Sequence, residues 1–306
     1  MLHIIVLGSA AGGGLPQWNC NCTNCRAARA DPALRNGQTG LAASVDGEHW
    51  FLINAAPDLR QQLIDTPALH PRQGRLRDAP LAGVILTNGE VDAVAGLLSL
   101  REGTPFALHA HADVLATLEA NSIFNVLDRA LVPRVPILPD QPFEPRLPDG
   151  RPSGLQVLAF AVPGKPAWYL EGTARPGEGD TMGLFLQPAR GGKGAFVIPG
   201  CGAITPPLAD RLAGADLVLM DGTLWSDDEM IRAGLSQKTG ARMGHVSMSG
   251  PEGAIAALSG LGIARKVFIH INNSNPALMP DTPERHAADA AGWTIATPGT
   301  EFRHDA

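Results

Sequence analysis

Three of the four cysteines, Cys20, Cys22 and Cys25, lie within six consecutive positions, and the fourth, Cys201, stands far from them. A Cys-x-Cys-x-x-Cys run can turn three thiolates onto one soft ion, and a tetrahedral zinc would take them plus one distant ligand. A closed fourth position makes such a site structural; an open one makes it catalytic. The plainer alternative is three reduced thiols beside a helix start. Cys201, in Ile198-Pro199-Gly200-Cys201-Gly202, has no base implied nearby and reads as a small buried residue.

Acids and imidazoles gather at a second kind of place, the ends of apolar runs. Asp92 follows Leu86-Thr87-Asn88-Gly89-Glu90, Asp221 ends Val218-Leu219-Met220, His245 lies in Met243-Gly244-His245, and His270 ends Val267-Phe268-Ile269. Ligands of α/β sheets collect beyond the carboxyl ends of strands, so these four residues form one candidate catalytic set. Two imidazoles and two or three carboxylates, Glu90 being the third, can hold a divalent metal with open positions, such as non-haem iron. Each residue also has an ordinary role open to it. Asp92 can favour a helix N-terminus, Asp221 can close an Asx turn before Gly222, and the histidines can satisfy backbone groups or be buried. His109-Ala110-His111 is a weaker pair, with no Asp-His following it. No Gly-x-Ser-x-Gly occurs, so a serine hydrolase has little support.

The elements that must position these groups follow from patterning. Strands are expected at 2–7, 83–86, 105–108, 155–162, 168–171, 183–186, 195–198, 216–220, 266–270 and 293–296. Asp46-Gly47 between 41–45 and 50–54 signals a hairpin. Helices are expected at 24–30, 57–64, 91–100, 208–212, 227–233, 253–258 and 283–291. Early antiparallel strands and later alternation of strands with helices suit an α/β sandwich built as one domain over 1–306. The Pro-rich stretch 131–152 reads as an insertion or lid between elements. The Gly-rich turn 8–14 lacks the helix a dinucleotide fingerprint needs directly after it.

Composition narrows the class. With 306 residues, 44% hydrophobic and 18% charged, the chain is globular. A net charge of −6 argues against nucleic acid or an anionic membrane as the main partner. No apolar run approaches the roughly 18 residues of a spanning helix. The first Lys or Arg is Arg26, so a secretory signal is not expected and a cytoplasmic location is.

Beyond these features, longer motifs carry a resemblance. Leu7-Gly8-Ser9-Ala10-Ala11-Gly12-Gly13-Gly14, Pro16-Gln17-Trp18-Asn19-Cys20-Asn21-Cys22, Asn54-Ala55-Ala56-Pro57-Asp58-Leu59-Arg60 and Gly96-Leu97-Leu98-Ser99-Leu100-Arg101-Glu102 resemble the pyrroloquinoline quinone (PQQ) biosynthesis B-protein family. So do Asp221-Gly222-Thr223-Leu224-Trp225, Met243-Gly244-His245 and His270-Ile271-Asn272-Asn273-Ser274-Asn275-Pro276. The resemblance spans nearly the whole chain and implies a metallo-β-lactamase-like αββα sandwich, two mixed sheets flanked by helices. It implies a role in PQQ biosynthesis, as an iron-dependent, dioxygen-using hydroxylase of the tyrosine ring in a Glu–Tyr cross-linked precursor. The alternative it implies is a non-catalytic carrier of PQQ or its precursor towards the periplasm.

Departures from the superfamily pattern refine this expectation. Its His-x-His-x-Asp-His metal loop is reduced here to Asp92, with Asn88 and Ala93 standing where histidines would. Lys165 lies in the stretch where another ligand histidine is usual, and Gly200 takes the place of the bridging aspartate. A two-zinc hydrolase is therefore not expected. Asp92, His270 and one of His245 or Asp221 would hold Fe(II), and Arg60, Arg101 or Lys165 would pair with substrate carboxylates. The cysteine cluster resembles the structural zinc site of phosphodiesterases of this fold, whose fourth ligand, a histidine, corresponds to Asn273. Either the Asn273 amide oxygen completes the site, or another residue or water does. Other proteins of the PQQ pathway and a second copy of the chain are the expected macromolecular partners.

Overall fold

The computed structural model describes residues 1–172 and 177–304. In chain order the first half runs β1 (Leu2–Gly8), α1 (Thr23–Ala30), β2 (Gly40–Ser44), β3 (Trp50–Ile53) and α2 (Leu59–Asp65). It continues with β4 (Leu81–Ile85), α3 (Val91–Val94), β5 (Ala107–His111), α4 (Ala112–Ala120) and β6 (Arg134–Ile137). Then come β7 (Leu155–Ala161), β8 (Met182–Pro188), β9 (Ala195–Ile198), α5 (Pro206–Leu212) and β10 (Val218–Asp221). The rest comprises α6 (Glu229–Arg232), α7 (Gly240–Met243), α8 (Ala254–Ala257), β11 (Lys266–Ile269), α9 (Pro283–Ala290), β12 (Trp293–Ile295) and β13 (Glu301–His304).

Two mixed sheets result, ordered β13-β1-β2-β3-β4-β5-β6 and β12-β11-β10-β9-β8-β7. In the first, β13, β1, β2 and β3 pair antiparallel, and β3 to β6 run parallel. In the second, β9 to β12 run parallel, and β7 and β8 are antiparallel. Their inner faces share one core, where Ile4, Phe51 and Ile85 of the first sheet meet Val157, Leu184 and Leu219 of the second. Helices cover both outer faces, over Leu52, Val84 and Leu108 on one side and over Ile198, Met220 and Phe268 on the other. Strands buried on both faces read as the continuous apolar runs seen in sequence. This is the expected αββα sandwich.

Several local expectations change. Residues 168–171 form no strand; Trp168–Leu170 is a 3-10 turn. Its N–H groups are spent elsewhere: Trp168 N–H on Glu90 Oε1, Leu170 N–H on Ala167 O and Glu171 N–H on Trp168 O. The helix expected over 91–100 is α-helical only for Val91–Val94 and tightens to 3-10 through Ala95–Leu100. The Pro-rich stretch contains β6, an edge strand of the first sheet, where Pro136 needs no donor on its free side. α4, α7 and β13 add to the elements expected. The β2–β3 hairpin forms as expected, with Gly47 at φ +77° in its turn.

Because β3, β4 and β5 run parallel, as do β9, β10 and β11, their carboxyl ends open onto loops where ligands of such sheets collect. β10 pairs with β11 so that Asp221 lies opposite Ile269, which brings Asp221 and His270 one step apart. The glycine-rich loop after β1 joins them through Ala11 N–H to Ile271 O (2.8 Å) and Ile271 N–H to Ser9 O (2.8 Å).

Candidate metal centres

Asp92 is placed by two backbone clamps. Asn54, at the end of β3, adopts φ +63°, a region that Asn tolerates better than most residues. Its side chain takes the Thr87 N–H (2.9 Å) and donates to Thr87 Oγ1 (2.9 Å), fastening the chain that leaves β4. Further on, Asn88 Oδ1 accepts the Glu90 N–H (2.9 Å) and turns the chain into α3, whose first turn carries Asp92. Gly12 closes the other side: a Cβ there would lie 3.2 Å from Asp92 Oδ2.

Asp221 is fully buried, and every partner it has is a donor. Oδ1 accepts from Thr223 N–H (3.0 Å) and Thr223 O–H (2.7 Å); Oδ2 accepts from Cys201 N–H (2.8 Å) and His245 Nδ1–H (2.6 Å). The Asx turn therefore forms beside the candidate cluster. Four donors use the four lone-pair directions of a carboxylate. Asp221 can thus orient ligands, but it has no lone pair left for a metal, although its oxygens lie near His245 and His270.

That wiring sets the imidazole tautomers. His245 gives its Nδ1–H to Asp221 and presents Nε2 as a free donor atom. Thr223, having given its proton to Asp221, accepts from His270 Nδ1–H (2.9 Å) and His270 Nε2 turns towards Asp92; in the protonated ring both nitrogens donate, and loss of the Nε2 proton frees that atom. The two rings stack with centroids 5.2 Å apart. His270 Nε2 faces Asp92 Oδ2 at 3.1 Å. Burial opposes charge on both partners, yet their mutual hydrogen bond outweighs it, lowering the Asp92 pKa and raising that of His270. His270 also holds φ +55°, a left-handed backbone that a non-glycine residue adopts only when its surroundings impose it. His245 follows Gly244, which ends α7 at φ +87°, and its N–H donates to Gly240 O (2.9 Å).

The three thiols also converge. Their sulfurs lie within 4.8 Å of one another, and the Asn273 amide nitrogen caps them at 3.2, 3.6 and 3.3 Å from Cys20, Cys22 and Cys25. Burial drives the Cys25 thiol up to about 11. Asn24 Nδ2 holds the capping loop by donating to Asn273 O (3.0 Å) and Asn275 O (2.9 Å). Cys201 stays apart from the trio: buried, its thiol pushed up to about 12 by burial, it donates to Ala203 O (3.1 Å).

The three basic residues expected to meet substrate fare differently. Arg60 is exposed on α2 and Arg101 is exposed beside Leu98 O and Glu102; neither bonds to the cluster among the described residues. Lys165 does reach the site's edge, with Nζ 2.6 Å from Glu171 and 3.9 Å from Glu90. His109 is buried against Phe143 without a hydrogen bond among the described residues, and His111 caps α4. Thr223, Glu171 and Arg242 were not singled out from sequence. The Asp-Gly-Thr turn was the visible signal for Thr223; no sequence spacing joins Glu171 to Arg242.

Fold and site together define a metallo-β-lactamase-fold protein, and residues 49–271 match the family model described as the Beta-lactamase superfamily domain. Coenzyme PQQ synthesis protein B of Rhodopseudomonas palustris is 63% identical over 305 residues, covering 98% of this chain and 99% of that protein. The crystal structure of Zn(2+)-bound PqqB from Methylobacterium extorquens superposes with a TM-score of 0.92 at 47% identity, covering 98% and 99% of the two chains. A diphosphatase of the PhnP family, 18% identical with a TM-score of 0.68 and coverage of 98% and 96%, shares the fold. The chain belongs to the coenzyme PQQ synthesis protein B family, and its role lies in PQQ biosynthesis.

Proposed function

We propose that this chain hydroxylates the tyrosine ring of a Glu–Tyr cross-linked PQQ precursor, with Fe(II) held by Asp92, His245 and His270. The observation carrying this reading is the donor set: His270 Nε2 faces the Asp92 carboxylate at 3.1 Å, the His245 ring stacks on His270 with centroids 5.2 Å apart, and Asp221 is wholly spent on hydrogen bonds. Two histidines and one carboxylate with open positions suit non-haem iron, which would bind and activate dioxygen; one oxygen atom would enter the ring, and a two-electron reductant would carry the other to water. The 3.1 Å between His270 Nε2 and Asp92 Oδ2 fits adjacent ligands, since bonds of about 2.1 Å at a right angle span about 3.0 Å. Asp221 keeps His245 in one tautomer and Thr223 does the same for His270, the usual work of groups behind metal-ligating histidines.

The thiol trio suits a structural zinc. Zinc–sulfur bonds of about 2.3 Å and a zinc–oxygen bond of about 2.0 Å place oxygen about 3.5 Å from each sulfur in a tetrahedron. The Asn273 amide already stands at that range, and a half-turn exchanges its nitrogen for Oδ1. Asn273 then closes the site.

Purified chain loaded with Fe(II) and given dioxygen, a chemical reductant such as ascorbate and the cross-linked precursor is expected to add oxygen to the ring, traced by mass with labelled dioxygen. Asp92→Ala, His245→Ala and His270→Ala should each abolish it, and elemental analysis should find one zinc and one iron per chain. Absence of both turnover and iron would sink the proposal. Asn88 and Ala93, standing where the superfamily has histidines, favour the second reading, a carrier. Tight PQQ binding that survives iron removal and Asp92→Ala, with no turnover, would decide for it.

A further inference from the structure

Residues 165–171 form a strap that touches both sides of the mouth of the Asp92–His245–His270 cluster. On the Asp92 side, Trp168 N–H donates to Glu90 Oε1 (2.8 Å) and Tyr169 O–H to Gly89 O (2.6 Å). On the His245 side, the Lys165 stem packs over Gly244; a Cβ there would sit 3.1 Å from Lys165 Cγ. Glu171 ties the two ends. One oxygen takes Lys165 Nζ (2.6 Å) and the other takes Arg242 Nη2 (3.1 Å). One carboxylate bridged by two cations, one on each oxygen, is the geometry of a carboxylate receptor with its place taken by the chain itself. Lys238 adds a third cation, 5.2 Å from the centre of the Trp168 ring. Cations gather here although the whole chain carries a net charge of −6. Trp168 and Tyr169, 64% and 43% exposed, offer aromatic surface beside them.

We infer that Lys165 and Arg242 are the receptor for a carboxylate of an aromatic substrate, and that Glu171 is an internal carboxylate which that substrate displaces. The inference rests on the cluster beside the strap being the reaction centre. Exchanging one carboxylate for another keeps the charge balance, and partly exposed ion pairs are weak enough to exchange. Release of Glu171 removes one of the strap's ties to the His245 side, so binding and opening are linked. The two cations hold Glu171 ionised, with its pKa down to about 2, so the exchange does not depend on its titration near neutrality.

The test is equilibrium binding of PQQ, whose rings carry three carboxylates, against its trimethyl ester, using the full chain in its metal-loaded form. Glu171→Gln should tighten PQQ binding severalfold, because the internal competitor is gone. Lys165→Gln and Arg242→Gln should each weaken it by roughly tenfold or more, as expected when a charged hydrogen-bond partner is lost. Lys165→Arg should restore most of the loss, and the ester should be indifferent to all four changes. Unchanged or weaker binding in Glu171→Gln, the same pattern with the ester, or no PQQ bound by any variant would each overturn the receptor. Asp92→Ala should leave the pattern intact. Absence of turnover in the iron-loaded parent chain with an intact binding pattern therefore counts against the iron reading alone, and turnover without that pattern against the receptor alone.

Discussion

At the scale of single residues, what a side chain can do here is decided by what its lone pairs already do. Asp221 looks as able to bind a metal as Asp92 until its four donors are counted. The sequence placed both at strand ends, but the donors come from Cys201, Thr223 and His245, and no local pattern announces them. His270 carries the pH dependence of the centre. Burial pulls its pKa down, but the hydrogen bond to Asp92 more than compensates, so it ends above the ordinary value. A metal must displace that proton. Affinity is thus full above the raised pKa and is lost as pH falls through it, by about tenfold per pH unit for one competing proton. Asp92, shifted downwards, remains ionised across that window. Titration of metal-free chain with Fe(II) or Co(II) between mildly acidic and mildly alkaline pH should show this slope, and a flat profile would refute it.

At the scale of elements, the strands were more legible than the turns between them. β9 came out with its expected bounds, because Ala-Phe-Val-Ile between Gly194 and Pro199 has no competing period. The continuous helix expected over 91–100 did not form, and Gly96 supplies the reason. A Cβ at Gly96 would lie 2.1 Å from Ala56 O and 2.8 Å from Ala55 O, so the turn crosses the chain after β3 at a distance open only to glycine. Gly96 N–H also donates to Ala55 O (2.8 Å), and Ala55 N–H donates to Ala93 O (2.7 Å). These contacts join residues far apart in sequence, which is why helical periodicity alone missed them. They also fix the turn that carries Asp92. Gly96→Ala should therefore cost about 1–3 kcal/mol of stability, since backbone carbonyls cannot rotate out of the way. The same change should weaken metal binding at Asp92 without touching a ligand. Thermal denaturation and metal titration of the variant check both effects; a variant as stable as the parent with unchanged affinity would disprove the clamp.

At the scale of the whole molecule, the two candidate metal sites share one loop. The thiol trio rides on the excursion between β1 and β2 of the first sheet, while Asn273 stands three residues after His270, just beyond β11 of the second. Between them Asn272 N–H donates to Thr223 O (2.9 Å), tying the loop to the turn that orients His245 and His270. Asn275 Nδ2 donates to Gly222 O (3.0 Å) in the same turn. An ion on the thiols would hold Asn273, and with it the loop that keeps His270 at φ +55°. By linkage, a site that restrains its neighbour's ligand raises its neighbour's affinity, and the effect is reciprocal. Cys25→Ser, or chelation of the thiol-held ion, should lower Tm and weaken iron at Asp92, His245 and His270 by about tenfold, within the usual range of such couplings. Asn273→Ala should act in the same direction, whereas Asn273→His, which returns a strong zinc ligand, should retain both zinc and iron. Metal content after dialysis and Tm for the three variants separate the outcomes. Iron affinity indifferent to the loss of zinc would mean that the loop holds His270 without help from the thiols, through Thr223 and the glycine-rich turn alone.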